Sequence, residues 1–225
     1  MAGHPRRIFV ALLALVLAHT LLVTASPADS ATSSHPAQRC KRPTKGFVPS
    51  KAGIPAIGRS VTVIQVKRKS NNQIGNGPVT ESGKWLMAMD PQRHPGGHRG
   101  TVILSGHTWP DGSALGNAML KNLWTGNGII LAGDNGKVAC YRVNRRKSYP
   151  ANQVPGASVF RSEGPEQVVI VACSGKRLGP GNWTRRTVWF ATPWTPKPKP
   201  KPSSPPPSSP PPSNGGLLGG LLGGL

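Results

Sequence analysis

The stretch VVIVACSGKR, residues 168–177, runs an apolar, β-branched segment into a cysteine and then turns polar and basic. Such a segment, bounded by turn-forming residues, reads as a buried strand that delivers Cys173 to its end. Segments of the same kind recur on both sides: SVTVIQVKR (60–68), GTVILSGH (100–107), GIILA (128–132), KVACYRV (137–143) and RTVWFAT (186–192). Gly, Pro, Asn and Asp fill the gaps, and AGDNGK (132–137) carries an Asp-Asn-Gly turn suited to a hairpin. Helical periodicity is confined to SALGNAMLKNL (113–123), where Leu115, Met119 and Leu123 recur at every fourth position. Many short strands with little helix predict an all-β chain, a closed or nearly closed antiparallel β-barrel with short helices or 3-10 turns in its connections. A β-sandwich is the competing architecture.

The two ends differ from this middle. Residues 1–7 carry two arginines, residues 8–23 are almost wholly apolar, and Val23-Thr24-Ala25 places small residues where a signal peptidase needs them. Residues 1–25 are therefore expected to be a signal peptide or a signal anchor, the apolar run falling short of the ~20 residues that span a bilayer comfortably. Residues 26–49 read as an exposed leader and 50–194 as the folded domain. Residues 195–214 form a Pro-rich linker, a polyproline II spacer of about 3.1 Å per residue. The tail GGLLGGLLGGL (215–225) is too short and too Gly-rich for a spanning helix. A stalk through a wall polymer and a disordered solubilising tail both suit this end.

Charge narrows the surroundings. Lys and Arg number 28 against 7 Asp and Glu, a formal net charge of +21, which implies a polyanionic environment. An export signal argues against nucleic acid and for an anionic wall polymer or membrane surface. The local clusters Lys67-Arg68-Lys69 and Arg145-Arg146-Lys147 have few aromatics beside them in the sequence, which predicts a solvated basic face.

Of three cysteines, Cys40 lies in a polar segment and Cys140 inside a strand pattern, and both resemble structural half-cystines. A Cys40–Cys140 bridge with Cys173 free fits best, and the other two pairings stay open. The basic residues after Cys173 are expected to lower its pKa and favour the thiolate. A cysteine nucleophile needs a proton-handling partner and a donor for the oxyanion. His107 directly follows TVILSG, so a strand brings it to an edge much as VVIVA brings Cys173. His94 and His98, in RHPGGHRG, lack a neighbouring Cys or carboxylate at ligand spacing and read as a solvated loop rather than a metal site. Arg185 and Arg186 stand at the mouth of an apolar strand, where a guanidinium's fork of donors suits a developing negative charge.

Together GIPAIG (53–58), TVILSGHTW (101–109), VVIVACSG (168–175) and RRTVWFA (185–191) resemble the sortases, cysteine transpeptidases that attach proteins to Gram-positive cell walls. The run SGHTW through ALGN looks most like actinobacterial class F or E enzymes. The resemblance spans about residues 50–193. It implies His107 as the catalytic histidine, Cys173 as the nucleophile and Arg186 as the catalytic arginine, with Arg185 as the fallback. It implies a sorting-signal peptide, LPXTG-like, as donor and a peptidoglycan precursor amine as acceptor, with no metal or other cofactor. Two departures stand out, Ala172 where the family usually has a hydroxyl before the cysteine, and Val169 for the first threonine of its motif. The loss at Ala172 predicts altered substrate contacts. Residues 144–166 correspond to the long loop that helps form the family's groove. An L,D-transpeptidase would need a His-Gly shortly before its cysteine, and IVACSGK has none. A non-catalytic, basic wall-binding or adhesive protein, with Cys173 buried or bridged, is the remaining alternative.

Overall fold

The computed structural model describes residues 40–70 and 73–195. The signal segment, most of the leader, the Pro-rich linker beyond Thr195 and the Gly/Leu tail lie outside the described residues. Among the described residues there are eight strands: β1 (Lys51–Ile54), β2 (Arg59–Gln65), β3 (Met87–Met89), β4 (Thr101–Gly106), β5 (Gly128–Ala132), β6 (Val138–Pro150), β7 (Gln167–Gly179) and β8 (Asn182–Pro193). They close into one barrel in the order β1-β2-β3-β4-β7-β8-β6-β5, so the sandwich is excluded. The helices are α1 (Leu115–Asn122) and the single turn α2 (Gly156–Val159), with 3-10 turns at Pro55–Ile57 and Ser82–Trp85. Among the described residues no helix is long and apolar enough to cross a membrane.

The barrel is mixed rather than wholly antiparallel, because β2 pairs with β3 and β4 with β7 in parallel. After each of those strands the chain crosses over instead of turning straight back. The expected hairpin at 132–137 does join β5 to β6, with Gly133 N–H donating to the Lys137 carbonyl at 2.9 Å and Gly136 at φ +75°. A Gly accepts that left-handed backbone without the strain a Cβ would bring.

Side chains alternate along β7. Val168, Ile170 and Ala172 enter the barrel core, while Val169 faces outward into a second apolar cluster with Val159, Val188 and Phe190. Burial on both faces explains why this strand reads as an unbroken apolar run. The helix α1 closes the barrel, with Leu115, Met119 and Leu123 wholly buried, as the four-residue spacing predicts. Trp189, also wholly buried, donates its indole N–H to the Leu123 carbonyl at 2.8 Å, which ties the strand interior to the helix. Removing a core side chain of that size costs about 3–5 kcal/mol.

Contrary to the sequence reading, β7 does not stop at Cys173. It continues to Gly179 as one leg of an arm made with β8, bulged between Ser174 and Arg177 and again before Gly179. Gly175 turns the first bulge at φ +77°, where a Cβ would lie 2.5 Å from Thr184 Oγ1. What ends near Cys173 is its neighbour: β4 finishes at Gly106, opposite Ala172. Up to Ala172, β7 is flanked on both sides; from Cys173 onward its register partners are on β8 alone.

The basic clusters also differ from expectation. Arg68 is half-buried, paired with Asp90 and lying over the Phe160 ring at 5.0 Å. Arg145 lies over Phe190 at 3.9 Å and Arg146 over Trp124 at 3.8 Å. Folding brings rings beneath these cations from distant parts of the chain, so the face is not merely solvated.

At the other end of the barrel Cys40 and Cys140 form the disulfide, with Cα atoms 5.4 Å apart. Beside it the buried carboxylate of Glu166 accepts from Gly96 N–H (2.8 Å), His98 N–H (2.9 Å) and the Tyr141 hydroxyl (2.5 Å), with Arg42 at 3.8 Å. Burial next to that carboxylate pushes the Tyr141 phenol well above its usual range. Arg42 and Thr195 border the same small pocket there, of about 140 Å³. Cys140 lies nine positions before Tyr149, which pairs with Arg186; at ~3.3 Å per residue this end is roughly 30 Å from Arg186. The bridge closes a sequence separation of 100 residues. A Cys40→Ser, Cys140→Ser chain should therefore lose about 2–4 kcal/mol, read as a lower urea midpoint. An unchanged midpoint would contradict this role.

Candidate active site

Strand register places the three expected residues together. The parallel pair Gly106–Ala172 of β4 and β7 is followed by His107, just past the end of β4, and by Cys173, still on β7. On β7 and β8, Cys173 is the direct antiparallel partner of Arg186. Side-chain alternation puts all three on one face, since Ala172 and Trp189 point inward while Val188 and Phe190 point outward. His107, Cys173 and Arg186 are each half-buried and line one groove of about 680 Å³.

The groove has a floor and two walls. Ser105 and Val171, on the outer face of β4 and β7, form the floor. Lys69 and residues of the β2–β3 connection, among them Ile74 and Val79, form one wall. The opposite wall comes from Ala151, Val154 and Phe160 of the β6–β7 connection. The long loop expected over 144–166 is thus shorter than read, because β6 runs to Pro150 and α2 occupies Gly156–Val159. Trp109, Trp183 and Arg177 complete the rim.

The segment after β4 is held at several points. His107 donates from Nε2 to the Gly77 carbonyl at 2.8 Å, and since a carbonyl only accepts, that nitrogen carries the proton. The His107 carbonyl accepts from Gly116 N–H at 2.6 Å, and a Cβ on Gly116 would lie 2.5 Å from that oxygen. Asn117 grips the Trp109 backbone on both sides, accepting from its N–H at 2.9 Å and donating to its carbonyl at 3.0 Å. These contacts account for the glycine and asparagine of the ALGN run. Thr108 then reaches across, its hydroxyl donating to the Cys173 carbonyl at 2.7 Å. It extends the β4–β7 attachment past the end of the paired strands.

Cys173 is a free thiol, which removes the bridged alternative. Its pKa is raised, not lowered: burial pushes the thiol up and the Arg186 charge pulls it back only in part. The basic residues that follow it in sequence are exposed on the arm, where water screens them. The rate of iodoacetamide alkylation should accordingly rise with a midpoint above the ordinary thiol value of about 8.5. Substituting Arg186 by glutamine should move that midpoint higher still, because it removes the charge that favours the thiolate; a downward movement would overturn the assignment.

Arg186 is anchored through Nη1 to the Trp183 and Arg185 carbonyls, at 3.0 and 2.9 Å. Its other guanidinium nitrogens bond to nothing among the described residues. Arg185, the fallback, is exposed and bonds Ser148 through its hydroxyl (2.8 Å) and carbonyl (2.9 Å), outside the groove. Ala172 points into the barrel core, so its missing hydroxyl is not a loss from the groove, contrary to the expectation of altered substrate contacts. Among the described residues no group of three His, Cys, Asp or Glu side chains is placed to hold a metal ion. His94 and His98 lie in the loop between β3 and β4 and do not line the groove, with His98 at φ +67°. Sequence reasoning missed Gly77, Thr108 and the wall from the β2–β3 connection, while the other wall falls within the expected 144–166 segment; the turn-rich GNGP at 75–78 was the available signal for Gly77.

A family model of the sortase domain matches residues 53–194. No curated protein matches the chain. Among solved structures, the chain is similar to sortase A of Listeria monocytogenes at 16% identity, covering 65% of this chain and 87% of that one, with a TM-score of 0.46. Sortase C-1 of Actinomyces oris is similar at 14% identity, 66% and 74% coverage and a TM-score of 0.49. For sortase C of Streptococcus pneumoniae the values are 14%, 65% and 68%, and 0.48.

Proposed function

The chain belongs to the sortase family of cysteine transpeptidases, and from that premise we propose that His107, Cys173 and Arg186 carry out its reaction. The donor is the sorting signal of an exported protein, LPXTG-like, extended along the groove. The Cys173 sulfur attacks the carbonyl carbon of the Thr–Gly bond as the thiol proton passes to His107. Arg186 donates hydrogen bonds to the oxyanion that forms. His107 gives a proton to the departing amine as the C–N bond breaks, leaving a thioester on Cys173. The amine of a peptidoglycan precursor then attacks the thioester, and His107 takes its surplus proton and returns it to the sulfur as the C–S bond breaks. A new amide replaces the old one, and no oxidant or metal enters the balance.

The observation that supports this reading is the shared register level: three outward positions on adjacent strands, facing one groove. Sortases act at the cell surface, and residues 1–25, read as an export signal, suit that setting. The class F or E assignment rests on the SGHTW to ALGN run. Mass spectrometry of the enzyme mixed with a panel of sorting-signal peptides tests the proposal. An acyl adduct on Cys173, carrying the peptide up to its threonine, is the expected result; adduct formation elsewhere on the chain would reject it.

A further inference from the structure

The outer face of β6 carries a line of cations that leads to the active-site level. Its outward positions and their β8 partners are Arg142 with Thr192, Arg145 with Phe190, Lys147 with Val188 and Tyr149 with Arg186. Arg186 in turn partners Cys173. Each of the three cations lies over a ring: Arg142 over Trp194 at 4.0 Å, Arg145 over Phe190 at 3.9 Å and Lys147 over Tyr149 at 5.4 Å. All three are exposed, and none pairs with a carboxylate among the described residues.

A guanidinium held flat on an aromatic face keeps its N–H edge free for an anion. The stacking also reduces the side-chain freedom that binding would otherwise have to remove. Outward β8 partners two residues apart set the cations at steps of about 7 Å. A single phosphate or a pyrophosphate, with its phosphorus atoms sharing an oxygen, is too compact to meet all three. A chain with one phosphate in each repeat can do so. Exposed Asn144 and Thr192, joined to one another at 3.5 Å, add neutral donors and acceptors for hydroxyl groups beside the line.

We propose that Arg142, Arg145 and Lys147 form a binding track for a polyol-phosphate polymer of the cell wall, running along β6 toward the groove. The choice of a wall polymer rests on the sortase reading, which places the protein at the cell surface; the binding itself needs no turnover.

The test uses the full chain with a Cys173→Ala substitution and poly(glycerol phosphate) as the probe, so that failure of peptide cleavage leaves this result standing. The triple substitution Arg142→Gln, Arg145→Gln, Lys147→Gln should weaken binding by about tenfold or more and flatten its salt dependence. A charge-matched control, Lys41→Gln, Lys45→Gln, Lys137→Gln, should weaken it by less than about threefold, since those cations contribute only to the general field. Equal losses in the two triples would overturn the track in favour of diffuse charge. Phosphatidylglycerol vesicles binding as tightly, with the same dependence on the three residues, would assign the face to lipid headgroups instead. Free glycerol phosphate competing as well per phosphate as the polymer would reduce the track to a single-anion site. Aggregation of the triple variant with undiminished polymer binding would show that the charges only guard an exposed strand edge.

Discussion

Cys173→Ala is expected to lower turnover of a sorting-signal peptide by at least about a thousandfold and to abolish the acyl adduct, with the fold unchanged. The magnitude follows from the chemistry. Without the sulfur no thioester forms, and the groove retains only peptide binding and the oxyanion donor, neither of which breaks an amide at a useful rate. The intact fold follows from position: Cys173 is half-buried on the outer face and belongs to neither apolar cluster. Thermal unfolding run beside the kinetics separates the two effects. Persistent turnover in a well-folded Cys173→Ala chain would remove the nucleophile from this residue.

Arg186→Ala should cost about 10²–10³-fold in kcat, the usual effect of deleting one oxyanion donor. Arg186→Lys should recover little of that, because an ammonium cannot keep Nη1 on the Trp183 and Arg185 carbonyls while directing a second donor into the groove. Arg185→Ala is the informative contrast. Its guanidinium is tied to Ser148 outside the groove, so a change of no more than a few-fold is expected. Reversed sensitivities, with Arg185 the costly one, would transfer the role. The KM should move less than kcat for Arg186, since the oxyanion exists only after attack.

The strand that carries Cys173, the helix that plugs the barrel and the β5–β6 hairpin were all legible from periodicity and turn residues. β1 and β3 were not. Lys51–Ile54 is too short and mixed to show alternation, and Met87–Met89 is buried on every residue, so it shows no pattern at all. The arm beyond Cys173 was misread because Gly175, Gly179 and Pro180 look like the end of a strand, whereas here all three lie within a bulged hairpin, with Pro180 in its turn. Parallel pairing of β4 with β7 leaves no local mark, yet it sets His107 beside Cys173. The Arg186 charge near Cys173 was legible in part; the opposing burial, which dominates, depends on walls contributed by distant residues. Glu166 carries no local mark of burial between Pro165 and Gln167, and only the folded chain brings Tyr141, Gly96 and His98 to it.

Arg42 and Thr195 meet at the disulfide end of the barrel. The described chain therefore begins and ends at one pole of the barrel, and the groove that His107, Cys173 and Arg186 line is at the other. Grafting the unit to a bead or a carrier through either end should leave peptide entry to the groove unobstructed.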